Sequence, residues 1–407
     1  MPLAKGSADY RRLTMAMLFA GFSTFSLLYS AQPLLPLFAH DFHLSAEAAS
    51  LAVGLATGPL AVGVLVAGAL SDRWGRRPMM VAAMFLAGGF SLATAAVPGW
   101  PALLALRFLT GVALAGVPAV AMAYVSEEVD HASVGSAMGL YIGGSAIGGM
   151  AGRLGVSLLT DIAGWRGAVA LVGLAGIAMA EAFRRLAPES RHFVPSARPP
   201  REVARGFIDL FRDRAMPLLF LEAFVLMGVF VSIYNYAGFR LMAAPYSLGH
   251  AAVGAIFLLY LLGSWSSAWF GGIGGKVGRR RIFWMPVLLL ILGVVLTAAQ
   301  PLALVVAGIG VVTIGFFGAH SIASAWVGRR ALARRGQVAA LYLFFYYAGS
   351  SVLGSLCGIA WTRAGWPGVA WFCGVLGAIA LAVGLILRSI PPLPQKEVTQ
   401  PKPLGTD

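Results

Sequence analysis

A chain of 407 residues with 59% hydrophobic and only 11% charged side chains cannot dress a soluble surface, since ordinary soluble domains carry about 25% charged residues. A mean hydropathy of +0.81 excludes a disordered chain as firmly, leaving a polytopic helical membrane protein. The formal net charge of +14 acquires a meaning only once the basic residues are placed along the chain.

A membrane helix takes about 20 mostly apolar residues. Twelve stretches qualify, at roughly 13–37, 47–70, 78–97, 101–126, 135–160, 166–183, 216–241, 251–274, 282–299, 302–327, 337–362 and 367–388. Short turns such as Val97-Pro98-Gly99-Trp100-Pro101 or charged stretches such as Ser71–Arg77 separate them. A membrane β-barrel needs segments of about ten residues with alternating polarity, and there are none. Lys5, Arg11 and Arg12 ahead of the first apolar run imitate a secretory signal. A secretory apolar region is only about 7–15 residues long, so a signal anchor is expected. Cys357 and Cys373 both lie in apolar runs and read as small packed side chains.

Placing the N-terminus in the cytoplasm puts 25 of the 30 Lys and Arg residues in cytoplasmic segments, as the positive-inside rule requires. Both termini are then cytoplasmic. The charge serves topology and anionic lipid headgroups. Nucleic acid is excluded as a partner, because the basic residues are spread over short turns with no basic domain.

The longest polar stretch, roughly 184–215, holds Pro188, Pro195, Pro199 and Pro200 and an amphipathic piece, Glu202–Arg214. It reads as a cytoplasmic linker between six-helix bundles at 1–183 and 216–390, with a cytoplasmic tail at 391–407. The halves are repeats. Gly68-Ala-Leu-Ser-Asp-Arg-Trp-Gly-Arg-Arg77 matches Gly271-Gly-Ile-Gly-Gly-Lys-Val-Gly-Arg-Arg280 at a spacing of 203. Ala123-Tyr124-Val125 matches Ala325-Trp326-Val327. Six-helix repeats are a common plan of secondary transporters, whose site lies at the midplane between halves.

The run Gly68-x-Leu70-x-Asp72-Arg73-x-Gly75-Arg76-Arg77 resembles the loop 2–3 signature of the major facilitator superfamily. Twelve spans, two halves and the degenerate copy at loop 8–9 extend the resemblance over the whole chain. Within the superfamily, Ser126-Glu127-Glu128, Gly139–Gly144 and Phe220-Leu221-Glu222-Ala223-Phe224 are similar to the drug:proton antiporter branch. The resemblance implies an all-α fold of twelve transmembrane helices in two pseudo-symmetric six-helix bundles, in a bacterial inner membrane. It implies a monomer with a small-molecule substrate and protons as partners, and no cofactor.

Asp72, Arg73, Arg76 and Arg77 crowd a tight turn that Gly75 lets bend. One reading is positive-inside charge with one incidental acid. The other is a gate latch. Asp72 would face the N-terminus of helix eleven and the arginines Arg329 and Arg330, while Arg76 would pair with Glu127 or Glu128. Both pairings would hold an outward-open state. Helix five carries glycines at spacings of four, Gly144, Gly148 and Gly152 among them, which allows close helix approach. It resembles the antiporter motif, with Ser145 where the family places proline.

Ionisable residues inside a membrane are costly and point to function. Glu222, about two turns into helix seven, is the first candidate for a protonatable carboxylate, with a capping role as the alternative. Tyr236 and Arg240 lie on its helical face. Arg107 and Arg153 lie at similar depth, roughly 10 Å from the outer surface. Arg107 with Gly111 resembles the family's helix-four arginine motif for proton coupling; snorkelling is the alternative. His320 is a second proton candidate or a hydrogen-bonded core histidine, and Asp41 is a third. His40, Asp41 and His43 do not complete a metal ligand set. Tyr29, Gln32, Tyr141, Ser145, Phe230, Tyr234, Asn235, Tyr236, Trp326, Tyr342 and Tyr346 are the candidate cavity set. Aromatic faces with a few polar tips suit an amphipathic, drug- or sugar-like solute.

Proton-driven efflux by alternating access is the expected function, with proton-coupled uptake as the runner-up. An integral membrane enzyme is the different-class alternative. The sequence has no phosphate-binding glycine loop, zinc spacing or nucleophile elbow to support it.

Overall fold

The computed structural model describes residues 2–193, 195, 199–331 and 334–391. The expected tail beyond residue 391 lies outside the described residues. Nine helices among the described residues are long and apolar enough to cross a membrane. Two of them, Val134–Leu186 and Gly336–Ser389, are broken by a left-handed glycine, Gly164 at φ +66° and Gly365 at φ +59°, and count as two spans each. The shorter helix Trp284–Thr297, of 14 residues, brings the spans to twelve.

Helices one to four run over Ala8–Asp41, Ala46–Trp74, Arg76–Thr94 and Trp100–Glu128. Helices five and six share Val134–Leu186, either side of Gly164. Helices seven to ten are Met216–Met242, 250–278, 279–297 and Leu302–Arg330, helix nine including Trp284–Thr297. Helices eleven and twelve share Gly336–Ser389. A linker helix occupies Pro200–Leu210. Local chemistry sets the starts. The hydroxyl of Ser7 accepts from the Tyr10 amide at 3.1 Å, and that of Ser45 from the Ala48 amide at 3.1 Å. Before helix five, Asp130 accepts from the amides of Ala132 and Ser133 at 3.0 and 3.2 Å. A hydrogen bond from the Ser133 side chain and these two amides hold its carboxyl below the usual carboxylate range.

The spans lie within a few residues of their expected positions, with one physical exception. Helix one reaches Asp41 because it bends rather than stops. It tightens to a 3₁₀ turn over Gln32–Leu34, which holds Pro33 and precedes Pro36, both without amide hydrogens. Helix eight ends in a π-turn at Gly274–Gly278, and past Gly278 the short helix Arg279–Ile282 runs through Phe283, itself in helical backbone, into helix nine.

The two bundles repeat in detail. Helix five presses Gly144, Gly148 and Gly152 onto the backbone of helix one at Leu18, Phe22 and Ser26. In the second half, Gly349 of helix eleven meets the backbone of helix seven at Phe224 in the same way. The signature loop and its copy both turn on a left-handed glycine, Gly75 at φ +94° and Gly278 at φ +104°. The repeat therefore preserves the positions where a side chain would obstruct the chain or its neighbour, while the charges between them have diverged.

One end of the molecule carries the basic loops, and the halves touch at the other, far end. Ser351 of helix eleven donates to the Gly54 carbonyl of helix two at 2.8 Å. Gln32 of helix one donates to Asn235 of helix seven at 2.7 Å. The Ala251 amide donates to Asp161 at 3.0 Å. At the basic end, ion pairs among the described residues stay within one half or tie a half to the linker.

Candidate functional site

Arg107, Arg153 and Glu222 are ionisable residues buried within spans, and Arg240 is half-buried in the last turn of helix seven. Arg107 is 2% exposed and does not snorkel. Its Nε donates to the Ala52 carbonyl at 2.9 Å and one terminal nitrogen to that of Leu27 at 3.0 Å. The other donates to the carbonyl of Leu28. The bend in helix one offers these last two acceptors. Arg107 thus ties helices one, two and four together, and its fork is filled by backbone.

Arg240 is likewise spent on backbone. It donates to the carbonyls of Thr297 and, at 2.7 Å, Ala299, and stacks over Trp366 at 4.8 Å. Glu222 differs. It is 1% exposed, and neither carboxylate oxygen has a hydrogen-bond partner among the described residues. Its Oε1 lies 3.7 Å from where a Cβ on Gly384 would sit, in a pocket shared with Phe283. Glu222 therefore faces helices nine and twelve within the second bundle. The expected face of Glu222, Tyr236 and Arg240 is not one site: Tyr236 donates separately to the Gly354 carbonyl at 3.2 Å.

The expected cavity residues divide. Phe230 stacks on Phe316 at 4.0 Å between centroids, and Tyr234 bonds Thr313 at 2.8 Å and stacks on Phe257 at 5.4 Å. His320 meets the Tyr342 hydroxyl at 3.0 Å and packs against Tyr346 at 4.9 Å. Tyr29, Gln32 and Asn235 join this group through Arg153. Its Nε donates to Gln32 at 2.6 Å and a terminal nitrogen to the Gly149 carbonyl at 2.5 Å. Its guanidinium lies 4.2 Å from the Tyr29 ring and 5.0 Å from that of Tyr260. Four expected residues stand apart, Tyr236 against Gly354 and Trp361 among them. Trp326 packs on Phe283 inside the second bundle. Ser145 returns its hydroxyl to the Tyr141 carbonyl at 2.9 Å, against helix one. Tyr141 is buried in that same seam with its hydroxyl unpartnered.

Asp41 lies at the far end, 40% exposed, paired with His40 at 3.0 Å and accepting from the Trp165 indole at 2.8 Å. A partnered, wetted carboxylate is a poor counterpart to the isolated Glu222.

At the basic end Arg76 is the hub. It pairs with Asp72 at 2.6 Å and Glu127 at 2.7 Å, and also donates to Ser71. With the basic end open, Asp72 pairs with Arg76, four residues along its own chain, and Arg330 pairs with Asp213 at 2.9 Å. One expectation is corrected here. The Arg76–Glu127 pair also forms with the far end closed, so it does not depend on an outward-open state. Of the two acids, only Glu127 meets Arg76. Glu128 accepts from the His192 amide of the linker at 2.9 Å. Arg77 also grips the linker side, donating to the carbonyls of Ala187 and Arg184 at 2.8 and 2.7 Å. Arg73 is exposed, and Gly68 faces open space.

A latch loop on a left-handed glycine, repeated in a second six-helix bundle, and an aromatic cluster between the bundles form the plan of one transporter family. The sequence profile of the Major Facilitator Superfamily matches residues 17–272. The chain belongs to the Major Facilitator Superfamily. It is 42% identical to the inner membrane transport protein YnfM of Escherichia coli over 95% of this chain and 93% of that protein. It is 41% identical to the MFS-type transporter YybF of Bacillus subtilis over 95% of this chain and 96% of that one. Among solved structures it superposes on the nucleoside transporter NupG with a TM-score of 0.74, at 14% identity, covering 92% of this chain and 99% of that one. A bacterial homologue of the lysosomal transporter Spinster gives 0.75 at 16% identity, covering 94% and 97%. The protein is thus a multi-pass membrane transporter of this superfamily and not an enzyme.

Arg153, Phe257 and Tyr260 are absent from the expected site residues. The signal for Arg153 was present: a second intramembrane arginine with no acid at helical spacing. Phe257 and Tyr260 lie in a span whose aromatics resemble packing residues until the fold brings them across from helix five.

Proposed function

We propose that the protein exports a small amphipathic organic solute across a bacterial inner membrane, driven by protons entering in exchange, by alternating access of the halves 1–183 and 216–390. The observation that carries the proton reading is Glu222, a buried carboxylate with neither oxygen partnered. An ionised carboxylate there would forfeit hydration with nothing in return, so the site accommodates the proton-bearing form. Releasing the proton requires water or a cation to reach it, which only a change of conformation provides. His320, hydrogen-bonded to Tyr342, is the second group able to carry a proton, and Arg107 sets the geometry of the first bundle. The similarity to the drug:proton antiporter branch supports export.

The basic end is assigned to the cytoplasm by the charge bias, with both termini there and anionic lipids against the basic loops. On that assignment the structure is the inward-facing state, and the protein acts as a monomer. Cys357 and Cys373 are buried, so a single cysteine introduced at Asp130 reports sidedness. It is expected to resist a membrane-impermeant maleimide in intact cells and to react in inverted vesicles; labelling in intact cells would reverse the orientation.

Transport itself is tested in proteoliposomes under an imposed pH gradient. Solute-dependent proton flux is expected. Solute movement at one rate with and without the gradient would remove the proton coupling.

Asp72 is proposed to exchange partners during the cycle, from Arg76 to the N-terminus of helix eleven when the basic end closes. Asp72→Asn keeps an oxygen to accept from Arg76, whose charge Glu127 still offsets, but gives up about 0.3–1 kcal/mol of helix-end interaction in the closed state. Arg76–Glu127 remains, so thermal stability is expected to stay near the parental value. The distance distribution between spin labels after helices two and ten should shift part-way toward separation. An unchanged distribution under conditions that populate both states would dismiss the exchange.

A further inference from the structure

Arg153 makes the fewest hydrogen bonds of the three arginines, two against three each for Arg107 and Arg240 among the described residues. It is 3% exposed and makes no ion pair among the described residues. Its Nε goes to Gln32 and Nη1 to Gly149, while Nη2 makes no hydrogen bond among them. Aromatic faces offset part of the cost of the charge: Tyr29 at 4.2 Å, Tyr260 at 5.0 Å and Phe257 at 5.5 Å. Two of those rings end in buried hydroxyls: that of Tyr260 has no partner among the described residues, and that of Tyr29 has only the Ser350 hydroxyl beside it. The site is rich in donors and poor in acceptors, and it carries one uncompensated positive charge. Tyr29, Gln32 and Arg153 come from the first bundle, whereas Phe257, Tyr260 and Ser350 come from the second.

We infer that the transported solute is a monoanion, a carboxylate on an apolar or aromatic body, whose carboxylate is bound by Arg153. A carboxylate supplies two coplanar acceptors matching the guanidinium fork. It also gives the Tyr260 hydroxyl the acceptor it lacks. The surrounding rings receive the apolar body. A single guanidinium calls for a single charge, and an organic cation meets repulsion with no acid to offset it. Arg107 and Arg240 do not compete for this role, because backbone carbonyls already fill their forks. The assignment rests on the transport reading above only in taking the bound ligand to be the cargo.

The test is a thermal-shift titration of the full chain in nanodiscs with matched pairs of acid and primary amide: phenylacetate, 3-phenylpropionate and octanoate against their amides. At least one carboxylate is expected to stabilise the protein at concentrations about 30-fold or more below those its amide needs. Arg153→Gln should bring acid and amide level, and Arg153→Lys should restore part of the preference. If Arg153→Gln fails to fold, Tyr260→Phe carries the test, weakening the carboxylate about tenfold and the amide, whose carbonyl accepts a weaker bond, severalfold less. Amides that bind as well as their acids, carboxylate affinity indifferent to these substitutions, or no carboxylate binding at all would overturn the inference. Amide-driven proton flux in the parent and in Arg153→Gln would overturn it too, while leaving proton-coupled transport standing. Arg153-dependent carboxylate binding without solute-driven flux would uphold the anion site and overturn the transport reading.

Discussion

Glu222→Gln is expected to reduce gradient-driven solute transport to the level of empty liposomes while counterflow persists. Glutamine reproduces the shape and polarity of the protonated acid but has no proton to give up. If Glu222 must release its proton once per cycle, the variant is locked in the state that corresponds to the loaded carrier. Exchange of solute against solute needs no net proton movement and survives. The folded protein should melt close to the parental temperature, because a neutral amide replaces a neutral acid in the pocket against Phe283 and Gly384. Arg107→Ala provides the contrast. It frees three backbone carbonyls that the guanidinium now satisfies, at a cost of about 1–3 kcal/mol for each that stays buried and unpaired, and both activities should fall with stability. Parental gradient-driven transport in Glu222→Gln would transfer the proton role to His320.

The fold was legible because membrane spans are the strongest signal a sequence can carry: without water, each span must satisfy its own backbone. The repeat was legible for a related reason. Gly75 and Gly278 need left-handed backbone, and Gly148 and Gly349 need contact with a neighbouring helix, so the glycines keep their register after charges have drifted. The site was legible only in part. Helical spacing placed Glu222, Tyr236 and Arg240 on one face, but a face 27 residues long touches different neighbours at each level. Asp72 illustrates a second limit. Its nearest counter-charge, Arg76, stands one helical turn away across the loop glycine, and that local pairing competes with any partner from the other half. Arg153 shows the converse, since what marks it is the absence of an acid, and an absence can be judged only once all the neighbours are in place.

Placing valine at two glycines separates seams that move from seams that do not. A Cβ on Gly148 would lie 2.7 Å from the carbonyl carbon of Phe22, and one on Gly349 at 2.7 Å from that of Phe224. Both contacts lie within a bundle, and both are with backbone that cannot give way. Overpacking of this kind costs about 1–3 kcal/mol or more with no alternative state to relieve it. Gly148→Val and Gly349→Val are therefore expected to melt several degrees lower and to express poorly. A Cβ on Gly358 would lie 2.6 Å from Glu47 Cα, where helix eleven meets helix two across the two halves at the far end, and 2.7 Å from the Tyr236 hydroxyl, the tip of a side chain in its own bundle. If the halves rock, the backbone clash with Glu47 vanishes when the far end opens, leaving only the Tyr236 tip to shift. The same 1–3 kcal/mol then appears as a shift of roughly five- to 150-fold in the ratio of the two states instead of as lost stability. Gly358→Val should stay folded, and spin labels at Ile162→Cys and Gln300→Cys should report a wider far end. A melting temperature as low as that of Gly148→Val with no change in distance would mean that the far-end seam is as fixed as the interior of a bundle, and alternating access about it would have to be abandoned.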